Sequence, residues 1–430
     1  MNPLRRGARA GTARSAMPTT VSPFRHSIFG RLLRALGRQR QRVLVSVMNL
    51  GLALAVLCGL GAVRSPVVGG TSQTDVGVTF SRRQAEYLGL PWQQTFSAVM
   101  DLSPTVVRLG AYWDEIERRR DSYDFSTLDW QLDRLPAQHY RVVLTVGMKA
   151  PRWPEYYLPS WLMRETRVGQ YRTVSDDPVV RAEALRFVEA VINRYQDHPA
   201  IAYWQVENEP LDASGPRHWK IGADFVAQEV ALVRALDPHR RPIILTMFVD
   251  TPPPLASLPP WRSYDENRAR TLLDMADILG LDVYPSRGIH MFGRDFYLDW
   301  SGWAWERPAM TLRQLAVEQG KDAWIMEAQA EPWEPSRLVY LDDGQSRSVQ
   351  PGTAASTFGR LSSGGFGTIL LWGAEHWYMR QERHDDRSWL DTLRPLFRSS
   401  DRPSLGDDRP SLLPAEPGRR PSDLSRKPLD

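Results

Sequence analysis

The sequence predicts an α/β protein built on a (β/α)8 barrel, the TIM-barrel architecture, and three observations carry that expectation. Eight short apolar, β-branched runs alternate with helix-patterned segments between residues 75 and 398. The runs are apolar throughout, which suits parallel strands covered by helices. No glycine-rich phosphate loop follows the first run, which argues against an open dinucleotide-binding sheet. Eight units in about 325 residues fit a closed barrel.

The first strand is expected at residues 76–80, followed by helical spacing over 92–102. A second strand (105–111, TVVRLGA) precedes a helix over 125–135 that begins at a suitable cap, Ser126. RVVLTV at 141–146 is the third strand. Asp177-Pro178 then opens a long amphipathic helix over 179–195, with Asp as cap and Pro pre-set for the first turn. The fourth strand (200–206, AIAYWQV) leads to a helix over 222–236, and the fifth (242–248, PIILTMF) to a short helix over 268–275. The sixth strand (278–284, ILGLDVY) is followed by a helix over 310–319, and the seventh (323–326, AWIM) by a helix over 353–361. The eighth strand (367–372, GTILLW) and a helix over 389–397 close the cycle.

The flanks read differently. Residues 1–74 hold 11 Arg and no Lys, Asp or Glu, so the formal net charge of +4 leaves −7 for residues 75–430. That mild acidity gives no footing for nucleic acid. Residues 43–63 (VLVSVMNLGLALAVLCGLGAV) carry no charge and are long enough for a transmembrane helix, which needs about 20 residues. The basic segment 1–42 belongs on the cytoplasmic side, so a single-pass anchor in the cytoplasmic membrane is expected, with residues 64–74 as linker and the 75–398 domain outside the cytoplasm. A cleaved signal peptide fits less well, because its apolar region runs to about 15 residues at most. Residues 399–430 are rich in Pro and poor in apolar content, and are expected to be disordered. The lone cysteine, Cys58, permits no intrachain disulfide and no Cys-based zinc site.

In a parallel barrel the reactive groups sit at the C-terminal ends of the strands. Glu207-Asn208-Glu209-Pro210 follows the fourth strand, and Glu327 follows the seventh. Those ends face each other across the barrel mouth. Any single strand-end Glu is as readily a surface ion pair. Two at these two ends supply what glycoside hydrolysis needs: one carboxylic acid to protonate the departing oxygen, and a second to attack the anomeric carbon or to activate water. Asn208, beside the acid, can hydrogen-bond a sugar hydroxyl. Nine of the 16 tryptophans fall in expected loops after strands, including Trp113, Trp153, Trp161, Trp333 and Trp377. Their rings can pack on the C–H face of a sugar, so Trp113 and Trp333 are taken as substrate-binding candidates. Glu331, Glu375 and His376 lie near the same mouth as further hydroxyl-binding candidates. Trp130, Trp204 and Trp324 fall inside strands or helices and are expected in the core.

Asn208-Glu209-Pro210 after a Trp-containing strand (AYWQVENEP), with Glu327 at the end of the seventh, resembles glycoside hydrolase clan A. The region VRLGAYWDEIERRRDSYDFSTLDWQLDRL is similar to the second-strand region of its families 42, 5 and 35. The resemblance implies a retaining (β/α)8 enzyme in which Glu209 is the acid/base and Glu327 the nucleophile. It also implies that Arg108 supports the nucleophile and holds its pKa down, that Tyr284 (in LDVYP) hydrogen-bonds it, and that Trp372 (in LLWGAEHW) floors the first sugar subsite. No metal or cofactor is required.

The function expected is therefore hydrolysis of O-glycosidic bonds in a β-linked oligo- or polysaccharide by double displacement. The alternatives are a catalytically silent glycan-binding protein, or a transglycosidase on the same barrel.

Overall fold

Apolar β-branched runs form eight parallel strands, and these close into one barrel. The computed structural model describes residues 74–250, 262–291, 293–299, 303–335 and 346–398. The expected basic segment, the transmembrane span 43–63, the linker through residue 73 and the tail 399–430 lie outside the described residues. Among the described residues no helix is long and apolar enough to cross a membrane.

The barrel strands are β1 (Asp75–Thr79), β2 (Val106–Gly110), β3 (Arg141–Val146), β4 (Ile201–Val206), β5 (Ile243–Phe248), β6 (Ile278–Val283), β9 (Asp322–Gln329) and β10 (Thr368–Trp372), hydrogen-bonded in that order with β10 back on β1. Two further strands, β7 (Ser286–Met291) and β8 (Arg294–Asp299), make an antiparallel hairpin inserted after β6. Sequence reading missed it, because Gly288 and Gly293 punctuate the segment like a loop. The hairpin is tied down at its base: the Gln329 amide accepts from Ser286 N (3.0 Å) and donates to Ser286 O (2.7 Å).

Between β1 and β2 lie α1 (Arg82–Tyr87) and α2 (Trp92–Met100); after β2 come α3 (Trp113–Ile116) and α4 (Ser126–Leu132). After β3 come α5 (Ser160–Glu165) and α6 (Pro178–Tyr195). Then follow α7 (Ala223–Leu236), α8 (Arg262–Leu273), α9 (Trp303–Glu318), α10 (Pro351–Ser363), α11 (Ala374–His384) and α12 (Ser388–Arg398). Asp177 caps α6 as expected, its carboxylate accepting from Val179 N (2.9 Å) and Val180 N (3.3 Å). Ser126 is not a cap but the first helical residue of α4; Asp124 accepts its N–H at 3.1 Å instead. The segment after the eighth barrel strand, read as loop, is helix α11.

The barrel interior is sealed at its base by Val106, Val143, Ile244, Ile278, Trp324, Met326 and Leu370, all buried. A larger apolar cluster lies between the strands and the helices and includes Trp204, Phe187 and Phe225. Burying each such side chain stabilises by about 1.5–3 kcal/mol. The rigid base leaves the opposite rim, at the strands' C-terminal ends, to carry polar groups.

One irregularity shapes that rim. Leu281 pairs with Ile325, but the next residue, Asp282, pairs with Glu327, so Met326 is extra in β9. Met326 packs into the interior cluster with Trp324. In regular pleating its neighbour Glu327 would point outward. The bulge turns Glu327 inward as well, which is how bulges re-aim side chains.

Candidate active site

Glu327 lies inside β9, two residues before its end, rather than beyond the strand. Arg108, on the inward face of β2 and fully buried, donates from Nη1 to Glu327 Oε1 at 2.8 Å. Tyr284, just past β6, donates its hydroxyl to Glu327 Oε2 at 2.5 Å. The phenol stays protonated, since burial and then the Glu327 charge push its pKa well above the usual value. Glu327 thus has one donor on each oxygen.

Arg108 is itself fixed in place. Its Nε donates to Gln205 Oε1 (2.7 Å) and its Nη2 to Asn208 Oδ1. Gln205, inward on β4, also accepts from the Thr145 hydroxyl (3.1 Å) and donates to the Glu207 carbonyl (2.9 Å). With its oxygen taken by Arg108 and Gln205, the Asn208 amide nitrogen is left as the group available to a substrate hydroxyl. Arg108 therefore joins the turn that carries Glu209 to the strand that carries Glu327.

Glu209 is held differently. Its backbone N–H donates to the Thr246 hydroxyl (2.8 Å), and Lys149 Nζ donates to its carbonyl (2.8 Å). Lys149 Nζ stands 3.8 Å from its carboxylate and 3.3 Å from that of Glu155. Burial raises the Glu209 pKa to about 7; Lys149 pulls it down, while Glu155 and then Glu327 push it up. Repulsion from Glu327 is thus present but ranks behind both burial and Glu155. Glu207 and Glu209 both have positive φ, 59° and 42°, a conformation that ordinary residues avoid and that persists only when the surroundings impose it.

The imposing groups lie beneath the turn. The fully buried Glu207 carboxylate accepts from Met148 N (2.9 Å) and Lys149 N (2.6 Å). Gly147 above β3 has φ 121°, and any side chain there would strike the Glu207 carboxyl. Behind Glu207 lies the buried Glu229 of α7; burial and then the Glu207 charge push the Glu229 pKa well above normal, so this second carboxyl is the protonated one.

The aromatic candidates divide. Trp333 is 40% exposed and meets the Tyr284 ring edge-on, centroids 5.2 Å apart. Trp372 ends β10 with its ring centroid 6.5 Å from that of Tyr284. Trp113 is a correction: it is fully buried in α3, stacks on Phe187 of α6 (5.2 Å, 14°) and donates to Glu117 at 2.7 Å, so no substrate can reach it. Trp161, Trp305 and Trp377 are buried too, and of the loop set described here only Trp153 (67% exposed) and Trp333 present open rings. Trp261, Trp300 and the Trp303 side chain lie outside the described residues. Trp204 and Trp324 are in the core as expected, and Trp130 packs against it.

Glu331 and Glu375 do not stand free for hydroxyls. Both bind Arg152, Glu375 at 2.8 Å, and the Arg152 guanidinium lies 3.9 Å over the Trp372 ring. The cluster presses one face of the indole into position. His376 is buried in α11, where burial lowers its pKa to about 3 and keeps the ring neutral.

The family model described as β-galactosidase, glycoside hydrolase family 42, matches residues 89–225, which include Arg108, Asn208 and Glu209. Among curated proteins, β-galactosidase BgaH of Haloferax lucentense is 30% identical over 126 residues, covering 27% of this chain and 19% of its own length. β-Galactosidase Bga of Halorubrum lacusprofundi is 29% identical over 127 residues, covering 27% and 18%. The chain thus spans about a fifth of the length of these relatives. The solved structure of a catalytic mutant of Gan42B, a family 42 β-galactosidase from G. stearothermophilus, is 16% identical with a TM-score of 0.51, over 78% of this chain and 57% of that one. It shares the barrel fold. The chain resembles glycoside hydrolase clan A and is family 42-like.

Proposed function

We propose that this chain is a retaining β-glycosidase acting on a β-linked glycan. The observation that carries the reading is the pairing of two unlike carboxyls at one barrel mouth. Glu327 has a donor on each oxygen and is prepared to be an anion. Glu209 has a pKa near 7 and is prepared to hold a proton.

The reaction follows from that difference. Glu327 attacks the anomeric carbon while Glu209 protonates the leaving oxygen, giving a glycosyl ester on Glu327. Esterification removes the Glu327 charge, one of the charges holding the Glu209 pKa up, so Glu209 gives up its proton more readily. As a carboxylate it then takes a proton from the water that attacks the anomeric carbon, breaking the bond to Glu327 and releasing its carboxylate. Asn208 is placed to bind a substrate hydroxyl, and Trp372 and Trp333 to bound the sugar.

The relatives are named β-galactosidases, which makes a β-galactoside the first substrate to try; the membrane placement rests on residues 43–63, with the barrel outside the cytoplasm. The test is a panel of activated aryl β-glycosides with the product anomer followed by NMR. The β-anomer should appear first and mutarotate afterwards. Initial α-anomer would mean inversion, and binding without turnover would mean a silent glycan-binding protein.

A further inference from the structure

A third carboxyl, Asp282, stands in the same mouth, and the mechanism above does not use it. The inward face of β6 presents Ile278, Gly280 and Asp282 in succession, and Asp282 is fully buried. Its Cα is the register partner of Glu327. Among the described residues neither of its oxygens meets a well-aligned hydrogen-bond donor. The groups that face it are Glu209 from the turn after β4, Glu327 from β9 and Arg108 from β2. Arg108 is already committed to Glu327, Asn208 and Gln205. Beyond Glu209 stand Lys149, Glu155, Arg268 and Arg287, and the Tyr284 hydroxyl already donates its hydrogen bond to Glu327.

A buried carboxylate with no protein donor, beside two other carboxyls, is the most costly way to place Asp282. A proton removes the cost. The Glu209 carboxyl lies within hydrogen-bonding reach, in an approach that two ionised carboxylates cannot use and a protonated one completes.

We infer that Asp282 is a neutral positioning residue that keeps its own proton through the cycle and donates a hydrogen bond to Glu209 whenever Glu209 is ionised. This rests on the glycosidase reading. In the first step Glu209 passes its proton to the leaving oxygen, and the carboxylate left behind is received by the Asp282 O–H. In the second step Glu209 takes a proton from water and that bond weakens. Asp282 thereby opposes the upward push of burial on Glu209, without which Glu209 would release its proton too reluctantly to serve as a base.

Asp282→Asn and Asp282→Ala distinguish the charge states. Asn keeps a neutral donor, so the alkaline limb of kcat/KM should stay where it is, with kcat changed only several-fold. Ala removes the donor, so that limb should move up by about one pH unit, with the second step slowed. A limb that moves down in Asp282→Asn would mean that an anion had been removed, and would overturn the inference, as would an unmoved limb in Asp282→Ala. Infrared difference spectra give a reading independent of turnover. The wild type at pH 8 should show, beside the Glu229 band, a second protonated-carboxyl carbonyl band that is lost in Asp282→Asn and survives in Glu229→Gln. Absence of that band overturns the inference even in an active enzyme. Its presence in a protein that cleaves no glycoside would leave Asp282 protonated and overturn the proposed function instead.

Discussion

The ends of β9 and β4 solve opposite problems with the same side chain. Glu327 is surrounded by donors: a guanidinium that is itself braced by Gln205 and Asn208, and a phenol that cannot ionise. Glu209 is buried among carboxyls, with a lysine that spends its best hydrogen bond on the Glu209 carbonyl rather than on the carboxylate. Surroundings, not residue type, assign the two roles. The backbone differs as well. A bulge delivers Glu327, whereas two left-handed residues deliver Glu209.

The largest test of this contrast is removal of the anion. Glu327→Gln should lower kcat on the order of 10^5-fold, because nothing else in the mouth replaces the nucleophile. Loss of the proton donor should depend on the leaving group. Glu209→Gln should cost about 10^2- to 10^4-fold with a poor leaving group and far less with an activated aryl one, in single-turnover measurements of the first step. Equal losses for both leaving groups would contradict the acid role. The donors on Glu327 come next: Tyr284→Phe removes one hydrogen bond to a charged group, worth about 1.5–3 kcal/mol, and should cost about 10- to 100-fold in kcat.

The smallest effect is on stability. Glu207 moves from 4.5 in a free chain to about 7 in the folded one, and Glu229 moves further in the same direction. A raised carboxyl binds more protons folded than unfolded. Its stabilisation is complete below pH 4.5 and is lost as pH rises to about 7. Chemical denaturation should therefore show stability falling across that interval, and Glu229→Gln should flatten the fall. A rise would break the assignment of the proton to Glu229.

Much of the barrel was legible because its parallel strands are buried on both faces and read as continuous apolar runs: RVVLTV at 141–146 matches β3 residue for residue. At the site, Asn208 and Glu209 were legible from residue type just past a strand end, whereas Arg108, in the middle of β2, and Tyr284 were reached only through the resemblance to clan A. Sequence reading failed where tertiary packing decides. Trp113 is flanked by loop-like sequence yet fills the space against α6, and a short helix such as α3 leaves no periodicity to read. Glu331 and Glu375 appeared open until Arg152, far from both in the chain, closed on them. Lys149, Gln205 and Thr246 passed unnoticed, because an isolated polar residue in or beside a strand does not announce its partner. The bulge at Met326 has no sequence signature at all, although it aims Glu327.

The central claim is that Glu327 forms a covalent bond to the sugar. A fluorosugar inactivator that accumulates the glycosyl-enzyme, followed by digestion and mass spectrometry, tests it directly. The label should fall on Glu327 and should be absent from Glu327→Gln. A label on Glu209, Asp282 or any other residue, or unimpaired labelling of the variant, would contradict the account.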